Sequence, residues 1–142
     1  MLLRLPIEYH ELTRAIVIYM YGLSAGGAWI AAIASPNTSY DKLDPARADT
    51  HIRALLRTAS AQIAVVLLLA AGLAALIAYY MSALFAVIAA IGFVANHLIL
   101  TRRSVEGRVR DRRQTRRVIA VGLTLVFMLA ILIAMIFTVQ RL

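Results

Sequence analysis

The longest uncharged stretch of the chain is residues 58–101, TASAQIAVVLLLAAGLAALIAYYMSALFAVIAAIGFVANHLILT. As one α-helix rising about 1.5 Å per residue, these 44 residues would be roughly 66 Å long, far more than the hydrocarbon core of a bilayer is thick. The stretch therefore predicts two membrane-spanning helices that fold back on each other. Tyr79 and Tyr80 suit a membrane–water interface, so we place the turn at residues 79–82.

Two further uncharged runs cover residues 15–40 and 118–140. Each is long enough to span a membrane, because about 20 helical residues cross the hydrocarbon core. The sequence thus predicts an all-α fold, in which residues 1–142 form one integral membrane domain built as a four-transmembrane-helix bundle. The predicted spans are about 15–34, 59–79, 82–101 and 118–139, and the connections 35–58 and 102–117 lie on the same side of the membrane.

The composition agrees with a membrane protein. Hydrophobic residues make up 62% of the chain and charged residues 15%, against about 25% charged residues in a typical soluble domain. The mean hydropathy is +0.80. The chain contains no cysteine, which excludes disulfides, thiolate metal sites and cysteine nucleophiles.

The ends of the first span carry several local signals. Tyr19, Tyr21 and Trp29 lie nearer to the ends of the span than to its middle, as interfacial aromatic residues do. Residues 7–14 mix apolar and polar side chains, which predicts a separate short helix at the membrane surface or in water. Pro36-Asn37 is expected to end the first helix.

A helix start signal follows at Asp44-Pro45, which combines an N-cap residue with proline at the first helical position. Residues 46–58 have an amphipathic pattern, and Asp49 is expected to pair with Arg53 four residues later. We expect this amphipathic helix to continue without a break into the second span.

Lysine and arginine are distributed unequally across the predicted membrane. The connections 35–58 and 102–117 hold twelve of these residues, and the opposite side holds three. Short connections rich in Lys and Arg stay in the cytoplasm, so both termini are predicted to be periplasmic. The excess of arginine over lysine and the many alanines suggest a bacterial source, hence the bacterial inner membrane. Topology thus accounts for the net charge of +8 and disfavours nucleic acid as a partner.

The connection 102–117 contains eight arginines. They can bind anionic lipid headgroups or an acidic partner, or they can serve only to anchor the topology. The eight residues are Arg102, Arg103, Arg108, Arg110, Arg112, Arg113, Arg116 and Arg117.

Small residues recur at a spacing of four in every predicted span, as Gly22 and Gly26 do in the first. This spacing places small side chains on one helix face, where two backbones can approach closely. Such faces serve either packing within the chain or oligomerisation, above all through Gly22 and Gly26. The other sets are Ala70, Ala74 and Ala78; Ser82, Ala86 and Ala90; and Ala130, Ala134 and Thr138.

Four polar residues lie inside the predicted spans at a similar depth near the cytoplasmic face: Gln62, Asn96, His97 and Thr124. Polar residues in a membrane are costly, and an ionisable one is a candidate functional residue. The four can form a small pocket that binds a quinone, a lipid headgroup or an ion. Alternatively, they form hydrogen bonds between helices, with His97 reaching the membrane surface.

Catalytic chemistry has little support in the sequence. All seven carboxylates lie outside the predicted spans, so no buried acid–base pair is expected, and no phosphate-binding loop or nucleophile elbow is present. His97 is the only histidine in a span, while His10 and His51 lie on opposite sides of the membrane, so one chain lacks a matched pair of haem ligands. We therefore predict no enzyme activity, no cofactor and no metal.

These features support three functional hypotheses. The first is a non-enzymatic accessory or structural subunit of a larger membrane complex, whose partners are other membrane subunits and anionic lipids. The second is a homo-oligomeric small transporter or channel that self-associates through the glycines of the first span. The third is a membrane protein that binds a lipid or a quinone in the intramembrane polar cluster.

Overall fold

The computed structural model describes residues 7–101 and 109–142, and within them the side chains of residues 9–101, 115 and 117–142. A π-helical turn over Ile30–Ala34 joins the first two helices into one continuous rod. The helices are α1 (Ile7–Trp29), α2 (Ser35–Lys42), α3 (Pro45–Leu76), α4 (Tyr80–Thr101) and α5 (Val109–Gln140).

Four helical segments in the described part of the chain are long and apolar enough to cross a membrane. This finding confirms the predicted all-α four-helix bundle, and it fits a multi-pass membrane protein. The segments are Tyr9–Lys42, Pro45–Leu76, Tyr80–Thr101 and Arg117–Gln140.

The four segments are arranged as an antiparallel, up-and-down bundle. The α1 segment packs between α3 and α5, and α4 packs against the same two helices from the opposite side. We call one end of the bundle the terminal end, because it holds the start of α1, the α3–α4 turn and the end of α5. The other end, the loop end, holds α2, the first turns of α3, the end of α4 and the first turns of α5.

Small side chains fill most of the bundle interior. Alanines from the predicted small-residue faces of α3, α4 and α5 are buried, including Ala70, Ala74, Ala86, Ala90 and Ala134. Small residues at an interface let helix backbones approach closely, which is a main source of helix association in lipid. In these three helices the spacing of four therefore serves packing within the chain. The largest fully buried side chains include Tyr21 of α1, Leu67 of α3, Phe93 of α4 and Ile131 of α5.

The first helix is longer than predicted at its start. The prediction of a separate surface helix over residues 7–14 is wrong, because α1 runs without interruption from Ile7. Its first turns are held against α5 by Arg14, whose Nε donates to the Thr138 carbonyl at 3.2 Å and whose Nη2 donates to the Val139 carbonyl at 2.9 Å. This contact gives the Val139 carbonyl a partner at the end of α5, and it adds a second donor to the Thr138 carbonyl, which also accepts from the Arg141 N–H at 3.4 Å.

The first helix also does not end at Pro36-Asn37, as the sequence had suggested. Proline normally breaks a helix because it lacks an N–H group and its ring clashes with the carbonyl four residues earlier. Here the preceding turn is π-helical, and the Ser35 N–H bonds to the carbonyl of Ile30, five residues back. The widened turn accommodates the proline at the start of α2, so the helical rod continues to Lys42.

The turn between α3 and α4 lies at residues 77–79, slightly before the predicted position, and α4 begins at Tyr80. Ala78 adopts the left-handed conformation with φ of 63°. The Tyr79 N–H bonds to the Ala74 carbonyl at 2.9 Å, and the Ala78 N–H bonds to the Ala75 carbonyl at 3.1 Å. This is a Schellman motif, which usually has glycine in the left-handed position. Since alanine replaces glycine here, the sequence carried no turn signal.

The third helix begins at Pro45 and continues through the second span, as predicted. The predicted pair of Asp49 with Arg53 is wrong, because both side chains bind other helices instead. Asp49 accepts a hydrogen bond from Arg117 of α5 at 2.7 Å, and Arg53 donates to the Leu100 carbonyl of α4 at 3.3 Å. These tertiary contacts replace a local one worth only about 0.2–0.5 kcal/mol.

The closest helix contact yields a prediction about Gly92. A Cβ atom added at Gly92 would overlap the ring of Phe127, whereas one added at Gly72 would meet nothing. We expect Gly92→Ala to lower the free energy of unfolding by about 1–3 kcal/mol because of overpacking. Gly72→Ala is the matched control and should be neutral or stabilising, because alanine favours a helix by about 1 kcal/mol. Unfolding titrations in mixed micelles measure the free energy of unfolding of both variants. Equal stability of the two variants would contradict the described contact between Gly92 and Phe127.

Candidate functional site

A buried polar cluster joins three helices near the loop end. Its centre is Asn96 of α4, whose side chain is fully buried. The Asn96 Nδ2 group donates to Thr124 Oγ1 of α5 at 2.9 Å and to Ser60 Oγ of α3 at 3.2 Å, and it also lies 3.3 Å from the Ala120 carbonyl. We call Ser60, Asn96 and Thr124 the amide cluster.

The amide cluster has one unsatisfied group. Within the described residues, the Asn96 Oδ1 atom is buried and accepts no hydrogen bond. An unpaired buried acceptor costs about 1–3 kcal/mol. Turning the amide over would set Oδ1 against the Ala120 carbonyl and against Thr124 Oγ1, whose hydrogen already bonds that carbonyl, so both contacts would be lost. The cluster therefore retains one acceptor, Asn96 Oδ1, that is not used by the described residues.

The structure brings together only part of the predicted polar set. Asn96 and Thr124 are in direct contact. His97 faces another direction, with Nδ1 bonded to the Arg57 carbonyl at 3.0 Å, and Gln62 is exposed on the surface of α3. These four residues thus share a depth but do not line a common pocket.

Sequence reasoning missed Ser60 as the third member of the amide cluster. Ser60 lies four residues after the buried Leu56 and seven before the buried Leu67, so it shares the inward face of α3. That spacing was the available signal, because residues three, four and seven apart share a helix face. Gln62, two residues further along, falls on a different face.

A second buried polar cluster lies near the terminal end, and the sequence analysis did not anticipate it. Tyr21 Oη of α1 is 3.0 Å from Ser82 Oγ of α4, which is 2.6 Å from Thr138 Oγ1 of α5. The Thr138 hydroxyl also donates to the Ala134 carbonyl at 3.0 Å, so Ser82 donates to Thr138 and Tyr21 donates to Ser82. We call Tyr21, Ser82 and Thr138 the hydroxyl chain.

The expectation that Tyr21 is an interfacial aromatic residue is wrong, because its side chain is fully buried. Tyr21 shares an inward helix face with the buried residues Val17, Ser24 and Ala28. Tyr19, two residues earlier, is exposed and remains available to the membrane interface. The two tyrosines differ in burial because they point to different sides of α1, although both are close to the same end of the span.

Ion pairs at the terminal end continue the hydroxyl chain to the surface. Arg14, whose Nε binds the Thr138 carbonyl, also forms a salt bridge with Glu11 at 3.0 Å. The other oxygen of Glu11 pairs with Arg141 at 3.0 Å. One carboxylate thus connects the start of α1 with the end of α5, and the contacts run from exposed charges to the buried Tyr21.

Gly22 and Gly26 lie on an exposed face of α1. A Cβ atom added at either position would meet no other atom within 4 Å. Tyr19 and Trp29 lie on the same side of the helix, and both are exposed. We call Tyr19, Gly22, Gly26 and Trp29 the glycine face. Unlike the small residues of α3, α4 and α5, the two glycines make no close helix contact within the described chain.

Among the eight predicted arginines, Arg117 is the one whose side chain the structure describes. It forms the salt bridge with Asp49, donates a hydrogen bond to the Tyr40 hydroxyl and places its guanidinium 5.4 Å from the centre of the Tyr40 ring. Arg117 therefore fastens α5 to α2 and α3 at the loop end. Arg102, Arg103 and Arg108 lie outside the described residues, as do the side chains of Arg110, Arg112, Arg113 and Arg116.

Comparison with protein-family models, with curated proteins and with solved structures finds no match for this chain. The geometry alone therefore defines the class. It fits a multi-pass membrane protein whose four-helix bundle is closed by small residues and by two buried hydrogen-bonded clusters.

Two buried serines provide a test of the hydroxyl chain. Ser82 bridges Tyr21 and Thr138, whereas the Ser24 hydroxyl is buried without a hydrogen-bond partner in the described structure. We expect Ser82→Ala to lower the free energy of unfolding by about 1–2 kcal/mol, because it leaves the neighbouring hydroxyls poorly paired.

The matched control is Ser24→Ala, which removes an unpaired hydroxyl and should be neutral or stabilising. Unfolding titrations of both variants in the same detergent give the comparison. A Ser24→Ala variant that loses as much stability as Ser82→Ala would show that the described bonding pattern is incorrect.

Proposed function

We propose that this protein is a non-enzymatic accessory or structural subunit of a larger membrane assembly, and that it binds its partner through the glycine face of α1. The observation that carries the proposal is that Gly22 and Gly26 are both exposed, four residues apart on one face of α1, whereas the exposed Gly72 and Gly122 each stand alone on their helices. Both positions allow a second helix to approach the α1 backbone closely.

The energetic argument concerns two glycines without an internal role. Glycine in a helix interior is less favourable than alanine by about 1 kcal/mol. Gly22 and Gly26 gain no packing from the rest of the described chain, because added Cβ atoms would meet nothing there. Contact with lipid does not need glycine, since lipid chains adapt to any side chain. A closely packed partner helix, in contrast, requires small residues such as glycine at the contact. Tyr19 and Trp29 can pack beside that helix.

The interior of the bundle offers little support for a transport path through one chain. The amide cluster and the hydroxyl chain lie at opposite ends, and each consists of groups bonded to one another. Buried apolar side chains such as Leu67, Phe93 and Ile131 belong to the core of the same bundle. A transporter or channel would therefore need a path between copies of the chain. A homo-oligomeric transporter or channel is therefore the alternative that experiment has to distinguish from an accessory subunit.

The proposed location is the bacterial inner membrane, with the loop end in the cytoplasm and both termini in the periplasm. The support comes from the sequence, where twelve of the fifteen Lys and Arg residues belong to the two connections at the loop end. In this orientation the arginine-rich connection faces anionic lipid headgroups, which we propose as additional partners.

Leucine substitutions on the glycine face test the proposal. We expect Gly22→Leu and Gly26→Leu each to reduce partner recovery at least fivefold, because the larger side chain keeps the partner helix away. Recovery is measured by pull-down in mild detergent, with quantitative mass spectrometry of the co-purified subunits. Gly72→Leu and Gly122→Leu are the matched controls, since both are exposed glycines at which an added Cβ meets nothing.

The possible outcomes separate the hypotheses. Co-purification of other subunits at a fixed ratio, lost only in the Gly22 and Gly26 variants, supports an accessory subunit. A monodisperse oligomer of this chain alone, disrupted by the same variants, supports the homo-oligomeric transporter or channel. Unchanged recovery in all four variants would remove the glycine face from consideration and with it the basis of the proposal.

A second test concerns the intramembrane polar residues. We expect His97→Leu, at a residue outside the amide cluster, to remain folded and assembled, because an accessory subunit does not need this group for chemistry. Partner recovery should stay within about twofold of the original chain. The measurement is the same pull-down, together with a growth or flux assay of the assembled complex. Loss of function with intact assembly would favour the transport hypothesis instead.

A further inference from the structure

A cavity of about 420 Å³ lies at the loop end, between α2 and the first turns of α3. Its apolar wall includes Ile30 and Ala34 from the π-helical turn and Leu43 from the α2–α3 link. Ser39 and Lys42 of α2 and His51 of α3 also line the cavity, whose surface is mostly apolar. None of these residues belongs to the amide cluster, the hydroxyl chain or the glycine face.

Along the direction of the first helical rod, the lining of the cavity runs from the apolar residues Ile30 and Ala34 to the cation Lys42. Ile30, which belongs to the first span, is 58% exposed, so the apolar side opens toward lipid. Lys42 ends α2 three turns further along, outside the uncharged run, so the cationic side opens toward water. This order, with hydrocarbon on one side and a cation on the other, matches an amphiphile with a negatively charged head.

The polar side chains near this end of the cavity can donate several hydrogen bonds. The Lys42 ammonium has three donors, and within the described residues it forms no salt bridge. Ser39 Oγ is 3.2 Å from His51 Nδ1. With Ser39 as the donor in this contact, His51 carries its hydrogen on Nε2 and can donate it outward. Asp41 and Asp44 are close in sequence, but neither lines the cavity.

We propose that this cavity is a binding site for an anionic phospholipid. The phosphate binds Lys42 and His51, and the start of an acyl chain lies along Ile30 and Ala34. The inference goes beyond the proposed function and does not depend on the glycine face. A soluble phosphate ester could use the same cations, but it would leave the apolar wall uncovered, so the structure favours the lipid.

The single tryptophan of the chain provides a local probe. Trp29 immediately precedes Ile30 and is half exposed. The full chain is reconstituted in phosphatidylcholine vesicles that contain a fixed fraction of brominated phosphatidylglycerol or of brominated phosphatidylcholine. Bromine quenches tryptophan at short range. We expect stronger quenching by phosphatidylglycerol, and Lys42→Gln should reduce its preference over phosphatidylcholine about fivefold, which corresponds to about 1 kcal/mol for one basic residue near an anionic lipid.

The matched control is Arg47→Gln, because Arg47 is an exposed cation at the same end that does not line the cavity. A preference that Arg47→Gln leaves intact and Lys42→Gln and His51→Gln both reduce supports the site. Equal losses in the Lys42 and Arg47 variants would indicate general surface charge and overturn the proposal.

Added inorganic phosphate distinguishes a lipid site from a soluble-anion site. A lipid site requires that millimolar phosphate leave the quenching by brominated phosphatidylglycerol unchanged at constant ionic strength. Full reversal by phosphate would show that the cavity binds the free anion and overturn the lipid assignment. Circular dichroism of each variant confirms that the helical fold is retained before the quenching is interpreted.

Discussion

Close contact between helix backbones is the interaction on which this bundle depends. Lipid chains are as apolar as leucine, so burying large hydrophobic residues between helices gains little free energy in a membrane. Van der Waals contact at short range has to supply the stabilisation instead, and alanines on α3 and α4 allow the helix backbones to come close enough. Gly92, which leaves room for the Phe127 ring, is the point of tightest fit. The largest side chains, by contrast, are divided between a few interior positions and the outer surface, where many remain exposed.

The buried polar groups fix the axial register of the helices, which close packing alone does not determine. Ser82 meets Thr138 at one end of the α4–α5 interface, and Asn96 meets Thr124 at the other. Along both helices the two contacts are the same number of residues apart, so one antiparallel alignment satisfies both pairs. A shift by one turn would break both contacts across this interface, in an apolar surrounding where a missing hydrogen bond is costly. At the two ends, Arg14 and Arg117 fasten α5 to α1 and to α3.

The architecture was predictable because it follows from length and charge, whereas the contacts depend on helix phase. Uncharged runs and the signal at Asp44-Pro45 predicted the four segments and the start of α3. The turn at Ala78 was displaced because a left-handed alanine has no recognisable pattern. Gln62 and His97 were predicted to join Asn96 because the three residues lie at a similar depth in the membrane. Neighbouring residues on a helix point about 100° apart, however, so a shared depth did not bring their side chains into contact. Tyr21 and Ser60 were missed for the same reason, although their spacing to other inward residues contained the information.

The π-helical turn at Ile30–Ala34 adds one residue to a helical rod that is otherwise regular. One extra residue advances every later side chain by about 100° around the axis. The rotation therefore decides which side of α2 faces α3, and it brings Ser39 to His51 and Tyr40 to Arg117. Deleting one residue from the turn would leave the rod helical and nearly as long, but it would point these side chains elsewhere. A single inserted residue thus sets the rotation of α2 relative to α1, and with it the contacts that α2 makes with α3 and α5.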